Sequence, residues 1–169
     1  MIGNAAPNDV VLSDLSEADR PLAVPVILDA FTGIYRWHAK RTLREVPRVR
    51  AARIGSEVVG VAMLEPLAPE VGYLYYLIVR SDHRGRGIGR RLFDDALAIF
   101  RQEGRRVAYV ATEPENAPMM ALLTRAGFRT VGRKEEPGYL YGGLGAWGLR
   151  SRMRVVPGEI LLGRRLERP

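Results

Sequence analysis

The sequence predicts a single α/β domain, and three observations support this prediction. The chain has 169 residues, a length that suits one domain built around one hydrophobic core. Hydrophobic residues make up 47% of the chain and charged residues 27%, a balance that is typical of globular proteins rather than disordered ones. Segments with a strand period alternate with segments with a helix period, in the order β, αα, βββ, α, β, α, ββ.

Two helical segments are predicted after a short first strand. Ser13 or Ser16 can cap the first helix, because acidic residues follow and the helix dipole favours them in the first turn. Apolar residues then recur at helical spacing. Pro21 and Pro25 predict a break, with a second helix over about 33–43.

Runs of β-branched and aromatic residues predict the strands. Two runs separated by Gly55 and Ser56 form a hairpin, whose second strand we expect Pro66 and Pro69 to close. Val71–Val79 is apolar on both faces, which predicts a central strand. The other predicted strands are 10–12, 107–112, 128–131 and 159–166.

The charge of the chain points to an anionic partner. The formal net charge is +7, and all but two of the 26 basic residues are arginines. Nucleic acid, a membrane surface or a phosphorylated small molecule would each suit such an excess.

Other classes are excluded or disfavoured by composition. The chain has no cysteine, which rules out disulfides, thiolate zinc sites and a cysteine nucleophile. Two histidines are too few for a histidine-rich metal site, so we expect no metal. No apolar run is long enough for a transmembrane helix, and the N-terminus does not resemble a secretory signal. We therefore expect a cytoplasmic protein with no membrane partner.

A glycine-rich turn after the central strand predicts an anion site. It reads Arg84-Gly85-Arg86-Gly87-Ile88-Gly89 and leads into a helix with one apolar face. Free N–H groups at a helix N-terminus, together with the helix dipole, bind phosphate, and glycines let the backbone approach it. A solvated, arginine-rich turn is the simpler interpretation. The Walker A pattern is absent, and the Rossmann pattern fails because position 90 is arginine.

The same segment resembles the acetyl-CoA loop of the GNAT superfamily of N-acetyltransferases, Arg/Gln-x-x-Gly-x-Gly/Ala. Residues 116–128, an Asn-led helix ending in Gly-Phe, resemble the second signature of that superfamily. The resemblance is strongest over 71–131, the expected cofactor-binding core. It implies one N-acetyltransferase domain over 1–169, with a mixed, mostly antiparallel sheet flanked by helices and a splayed central strand pair.

The resemblance also implies acetyl-CoA as cosubstrate. Its diphosphate would lie on the N–H groups of 86–89 with Arg84 and Arg90 beside it, and its pantetheine arm along 77–79. Asn116 would contact the arm, although a plain helix N-cap explains this residue equally well. The implied cofactor-binding residues are Leu77, Ile78, Val79, Arg84, Gly85, Arg86, Gly87, Ile88, Gly89, Arg90 and Asn116.

The implied chemistry is direct attack of an amine on the thioester, which needs a base and can use an acid. Glu113 and Glu70 are candidate bases, although Glu113 also suits a plain loop acid beside a helix start. Tyr75 is a candidate acid, although core packing is the commoner role of such a tyrosine. The superfamily often has a tyrosine acid seven residues after the Asn, and this chain has Leu123 there.

The expected function is an acetyl-CoA-dependent N-acetyltransferase that moves an acetyl group to a primary amine of a small molecule, peptide or protein. A non-catalytic acyl-CoA-binding module is the alternative. Nucleic acid is disfavoured as a partner, because the arginines are spread along the chain without a recognition signature. The aromatic residues Tyr139, Tyr141 and Trp147 of the glycine-rich segment 137–148 suit either an acceptor cover or a homodimer contact.

Overall fold

A computed structural model describes residues 9–132 and 152–167. Within these ranges the order of elements agrees with the predicted order. The strands are β1 Val10–Asp14, β2 Arg48–Ile54, β3 Glu57–Ala68, β4 Val71–Val79, β5 Val107–Thr112, β6 Arg129–Thr130 and β7 Ile160–Arg165. The helices are α1 Val24–Ala30, α2 Gly33–Glu45, α3 Ile88–Gln102 and α4 Ala117–Arg125, with short 3-10 turns at Arg20–Ala23 and Ser81–His83.

The strands form one seven-stranded sheet in the order β1-β2-β3-β4-β5-β7-β6. The pairs β1–β2, β2–β3, β5–β7 and β6–β7 are antiparallel, and β4–β5 is parallel. The predicted α/β class with a mostly antiparallel sheet is therefore confirmed. So is the central place of β4, whose apolar residues on both faces lie between two neighbouring strands.

The chain divides into two compact units. The first contains Met1–Glu65 and Tyr76–Ala98, and the second contains Pro66–Tyr75 and Ile99–Pro169. β3, β4 and α3 each begin in one unit and end in the other. The extent of a single N-acetyltransferase domain over 1–169 stays a prediction.

The hairpin of the first unit has the two-residue turn that the sequence predicts. β2 ends one residue before Gly55, whose φ of +58° is a conformation that glycine adopts without strain. The expectation that Pro66 closes β3 is wrong, because the strand continues to Ala68. The register with β2 ends at the pair Arg48↔Leu64, so Pro66 removes no hydrogen bond from that side of the strand.

The helical region before β2 differs from the prediction at its start. Ser13 lies in β1, and Ser16 does not cap an assigned helix. The Ser16 Oγ accepts the Asp19 N–H at 3.2 Å and donates to the Asp19 carboxylate at 2.8 Å, within an exposed turn.

Pro21 and Pro25 are the second residues of the 3-10 turn and of α1, where a missing N–H leaves no helical hydrogen bond unmade. The predicted division into two helices is confirmed, but the break lies after both prolines, at the extended residues Phe31 and Thr32, and α2 extends to Glu45.

The side chain of a buried arginine caps the C-terminal end of α2. The Arg20 side chain donates from Nη1 to the carbonyl oxygens of Leu43 and Arg44, each at 2.9 Å. Arg20 is only 7% exposed, so water does not replace these bonds easily.

We expect Arg20→Met to lower the free energy of unfolding by about 2–3 kcal/mol, because the buried carbonyl of Leu43 and the partly buried bond to Arg44 lose a charged donor. Chemical denaturation measures the loss. Arg129→Met, at an exposed position of β6, is the matched control and should change stability by less than about 0.5 kcal/mol. Equal stability of the two variants would contradict the role given to Arg20.

The helix after the glycine-rich turn buries the predicted face. Five apolar residues of this helix are at most 4% exposed: Leu92, Phe93, Ala96, Leu97 and Phe100.

No helix in the described part of the chain is long and apolar enough to span a bilayer.

The second unit explains the Gly-Phe signature in physical terms. Gly127 has a φ of +76°, and its N–H bonds the carbonyl of Thr124 at 2.9 Å. The N–H of Phe128 reaches the carbonyl of Leu123 at 3.0 Å, which completes a Schellman cap on α4. Both apolar residues of the cap, Leu123 and Phe128, are buried. The nearby core of this unit contains Leu67, Val71, Tyr73, Tyr109 and Met153.

Candidate functional site

The end of β4 directs two backbone positions away from β3. A Cβ added to Gly60 of β3 would lie 3.1 Å from the Ile78 carbonyl oxygen, and the Arg80 N–H donates to a β3 carbonyl at 2.9 Å. Ile78 and Arg80 thus face β3. Because successive residues of a strand direct their backbone groups to opposite sides, Leu77 and Val79 direct theirs to the other edge.

The parallel pairing of β4 with β5 is short. It runs from Val71↔Val107 to Leu74↔Val110, although β4 continues to Val79. Among the described residues, this register therefore does not use the backbone groups of Leu77 and Val79. The early end of the register agrees with the splayed strand pair that the resemblance implies.

The glycine-rich turn presents backbone donors at the start of α3. Gly85 and Gly87 have φ values of +74° and +75°, which glycine adopts without strain. The Arg91 N–H bonds the Gly87 carbonyl at 3.0 Å and begins the helical ladder. The N–H groups of residues 88–90 precede that ladder and have no acceptor inside the helix. They form the donor set that an anion needs.

Two arginines next to these donors, Arg84 and Arg86, bond to backbone carbonyls. Arg84 Nε donates to the last carbonyl of β4 at 3.0 Å, and Arg86 Nη2 donates to the Asp82 carbonyl at 3.1 Å. Neither makes a salt bridge with a carboxylate in the ranges 9–132 and 152–167. Arg90 Nε lies 3.4 Å from Asp94, and both side chains are more than half exposed, so this pair is weak. The turn therefore carries positive charge toward solvent.

An ion-pair network fixes the approach to the turn. Arg80 donates to both oxygens of Asp82, each at 2.7 Å, and also pairs with Glu57. The bonds from Arg80 hold the pKa of Asp82 well below its ordinary range, with help from the His83 ring at 2.7 Å. The bonds to Asp82 and Glu57 raise the pKa of Arg80. Arg91 is directed elsewhere, since its Nη2 donates to a β1 carbonyl at 2.8 Å.

Asn116 is the N-cap of α4, because its Oδ1 accepts the Met119 N–H at 3.2 Å. The simpler of its two interpretations is thus observed, and a contact with the cofactor arm stays a prediction. Leu123, where the superfamily often has tyrosine, is fully buried. It therefore serves the core of the second unit.

Tyr75 and Glu70, two of the candidate catalytic residues, make contacts that the structure specifies. The hydroxyl of Tyr75 donates to the Arg152 carbonyl, and its ring packs edge-on against Tyr73 at 4.7 Å. Glu70 pairs with Arg106 at 3.0 Å and precedes the first residue of β4, whereas the glycine-rich turn follows the last. Their catalytic roles stay predictions.

Glu113 has a carboxylate neighbour that the sequence analysis missed. The register of β5 with β7 ends at Thr112↔Ile160, so Glu113 and Glu159 occupy the next positions of the two strands. Burial raises the pKa of Glu159, and the charge of Glu113 adds to the effect, against a bond of 2.8 Å from the Val156 N–H. A signal existed: Glu159 follows a Pro-Gly turn at the start of a predicted strand.

Because the pKa of Glu159 is raised, the contribution of this carboxyl group to the stability of the folded chain falls as the pH rises. The folded chain holds this proton more tightly than the unfolded chain, so the stabilisation is full below the ordinary pKa of 4.5. It is lost as the pH rises through the higher folded value. Glu159→Gln keeps an acceptor for the Val156 N–H but has no proton to lose. We therefore expect the melting temperature of the variant, relative to that of the parent chain, to be higher at pH 7 than at pH 4. The same difference at both pH values would contradict this prediction.

The remaining sequence predictions concern the aromatic residues of segment 137–148 and the expected absence of a metal. Tyr139, Tyr141 and Trp147 lie outside the described residues. Among the described residues, no three His, Cys, Asp or Glu side chains cluster as a metal ion would require.

Comparison with known proteins identifies the family. The model of the Acetyltransferase (GNAT) family matches residues 13–128. An L-methionine sulfoximine/L-methionine sulfone acetyltransferase of Pseudomonas paraeruginosa is 29% identical over 110 residues, 63% of this chain and 64% of the relative. The alignment thus spans less than two thirds of that relative.

Two solved structures share the fold. The ribosomal-protein-S18-alanine N-acetyltransferase of Escherichia coli superposes with a TM-score of 0.69 at 17% identity, over 95% of this chain and 96% of that one. A GNAT family acetyltransferase of Elizabethkingia anophelis with acetyl-CoA bound also gives 0.69, at 16% identity, over 94% and 99%. At such identities the likeness supports the fold alone. Since the family model covers more than half of the sequence, this chain belongs to the acetyltransferase (GNAT) family.

Proposed function

We propose that this chain is an acetyl-CoA-dependent N-acetyltransferase that acts on a primary amine. One observation carries the proposal: the helix start after β4 presents three backbone N–H groups beside Arg84 and Arg86, which make no salt bridge in the described residues. A diphosphate is the anion that matches several convergent donors and two positive charges. Membership of the acetyltransferase family supports acetyl-CoA as the carrier of that diphosphate.

In this proposal the backbone of β4 binds the rest of the cosubstrate. The backbone groups of Leu77 and the N–H of Val79 face away from β3, so the amide-rich pantetheine arm can pair with them as an added strand would. The Val79 carbonyl already accepts a bond from the Arg84 side chain. Recognition through the backbone makes side-chain identity unimportant there. The arm leads from the diphosphate toward the thioester, which would lie along the same strand.

The reaction is direct transfer. The neutral amine nitrogen attacks the thioester carbonyl carbon, and the carbonyl oxygen becomes an oxyanion that a β4 N–H stabilises. The attack forms a C–N bond and a tetrahedral intermediate. When this intermediate collapses, the C–N bond remains, the C–S bond breaks, and coenzyme A leaves as the thiolate. A base takes the proton that the nitrogen loses. The chain has no cysteine, so no acetyl-cysteine intermediate can form.

Glu113 is our proposed base, with Glu159 beside it in the register of β5 and β7. Burial raises the pKa of the neighbouring Glu159, and the charge of Glu113 adds to that effect, so the pair is a place where a proton can be accepted. Leu123 cannot supply a proton to the thiolate. A coenzyme A thiolate is a stable enough leaving group to depart without one, or Tyr75 donates it.

The acceptors named for similar proteins suggest the class of acceptor for this chain. One relative is named for methionine sulfoximine and sulfone, which carry a free α-amino group, and one structural neighbour for the alanine of a ribosomal protein. We propose a primary amine of a small molecule or a peptide as acceptor for this chain.

A non-catalytic acyl-CoA-binding module is the second candidate. The observation that favours it is Leu123, which is buried in the core where many superfamily members carry a tyrosine acid. The two candidates share the cofactor loop and differ only in turnover.

Calorimetry with acetyl-CoA, followed by thiol release over a panel of amino acids, small amines and peptides, tests both. We expect binding together with amine-dependent thiol release. Binding without release on any amine favours the module, and absence of binding contradicts both candidates.

A further inference from the structure

We infer that Asp29, near the end of α1, is a positioning residue for the cofactor loop. The inference rests on the proposed function, because the loop it holds is the proposed diphosphate site. Asp29 does not touch the proposed cosubstrate. It acts through Ser81, the first residue of the 3-10 turn that leads from β4 into the glycine-rich turn.

Asp29 uses both carboxylate oxygens on this one residue. Oδ2 accepts the Ser81 N–H at 2.7 Å, and Oδ1 accepts the Ser81 hydroxyl at 2.8 Å. The paired bonds fix both the position and the orientation of the turn. The turn itself continues through the bond from the His83 N–H to the Arg80 carbonyl at 2.9 Å. The two bonds of Asp29 therefore hold the backbone on which the glycine-rich turn is built.

The location of Asp29 is not explained by the stability of α1. A carboxylate one residue before the end of a helix faces the negative end of the helix dipole, which disfavours it. The charge of Asp82 opposes ionisation as well, and yet the bonds from Ser81, assisted by the charge of Arg84, lower the pKa of Asp29. The favourable interactions of this residue thus come from the turn.

A second contact joins the end of α1 to β4. Phe31, the C-cap of α1, packs edge-on against Tyr76 with ring centroids 5.6 Å apart. Arg36 of α2 fixes Phe31 in turn, because its Nε donates to the Phe31 carbonyl at 2.8 Å. Asp29 and Phe31 therefore contact the chain on either side of residues 77–79, the proposed pantetheine strand.

The test compares Asp29→Asn and Ser81→Ala with a matched control, Asp19→Asn. Asp19 accepts the hydroxyl of Ser16 at 2.8 Å, so it is another exposed Asp–Ser pair, in a turn outside the loop. Ser81→Thr keeps both donors and serves as the rescue variant. The measurements are the coenzyme A dissociation constant, KM for acetyl-CoA, kcat, and ligand-free hydrogen exchange of the His83 and Arg84 amides.

We expect the first two variants to bind coenzyme A about tenfold more weakly and to raise KM for acetyl-CoA by a similar factor. The kcat should change by less than about twofold, since the reacting atoms are untouched. The two amides should exchange faster, while Ser81→Thr and Asp19→Asn should behave like the parent chain.

Parent-like binding and exchange in Asp29→Asn would overturn the inference. A loss of kcat and melting temperature with KM unchanged would also overturn it, because that pattern marks a general structural role. If the parent chain binds no coenzyme A, the proposed function fails and the cofactor part of the inference fails with it. Hydrogen exchange of the His83 and Arg84 amides still tests, without any ligand, whether Asp29 fixes the turn.

Discussion

Gly87→Ala is expected to weaken binding of coenzyme A about 100-fold. Gly87 has a φ of +75°, and a side chain there pushes the backbone toward negative φ. Such a change turns the adjacent N–H groups away from the anion. The loss of about two charge-assisted hydrogen bonds corresponds to roughly 3 kcal/mol, which is a factor of about 100. Calorimetric titration of coenzyme A measures the effect.

Gly104→Ala is the matched control. Gly104 has a φ of +77°, and at both glycines an added Cβ meets no atom of residues 9–132 and 152–167 within 4 Å. The two substitutions therefore carry the same backbone strain, of about 1 kcal/mol, and no steric clash within the described structure. We expect a similar small loss of stability in both and a loss of cofactor affinity only in Gly87→Ala. Equal affinities would contradict the role of the turn.

Gly72→Ala is expected to give the largest loss of stability, about 3 kcal/mol. A Cβ at this position of β4 would lie 2.6 Å from two ring atoms of Phe100 and 2.8 Å from a third. Phe100 is 1% exposed, so the ring has no free space into which it can move. Overpacking of this kind forces strained rotamers or shifts of the backbone. For a chain of this size we expect the melting temperature to fall by about 10 °C.

Two comparisons isolate the clash. Gly132→Ala places a methyl where no atom of the described residues lies within 4 Å, and should be close to neutral. Phe100→Leu combined with Gly72→Ala should recover part of the loss, because residues in contact are not additive. A Gly72→Ala chain as stable as Gly132→Ala would refute the packing described for the second unit.

The elements that local chemistry decides could be predicted from the sequence. The buried face of α3 follows from helical spacing, and the hairpin turn follows from Gly55. The central strand follows from its apolar residues on both faces. The glycines and arginines of the glycine-rich turn are consecutive in the chain, which is why they could be named at the outset.

Features that depend on distant residues could not be predicted. The bonds from Ser81 to Asp29 join residues far apart in sequence, and no spacing rule indicates such a pair. Glu159 meets Glu113 only because β7 pairs with β5. Pro66 continues a strand because the register with β2 has already ended, and the sequence does not show where a register ends.

The structure also gives the arginine excess a second explanation. Many of these side chains donate to backbone carbonyls of the chain itself, because the planar guanidinium offers several donors in a fixed geometry. The arginines that do so are Arg20, Arg36, Arg84, Arg86, Arg91, Arg105, Arg152 and Arg164. The strongly basic composition therefore reflects internal hydrogen bonding as well as the proposed phosphate site.

The amide resonances of residues 86–90 test the central claim most directly. An isotope-labelled chain is titrated with coenzyme A and, separately, with pantetheine, which has the arm but no diphosphate. We predict that coenzyme A shifts the N–H signals of residues 88–90 strongly downfield, as hydrogen bonds to phosphate do, and that pantetheine leaves them nearly unchanged. Bound coenzyme A with unshifted signals at residues 88–90 would contradict the account.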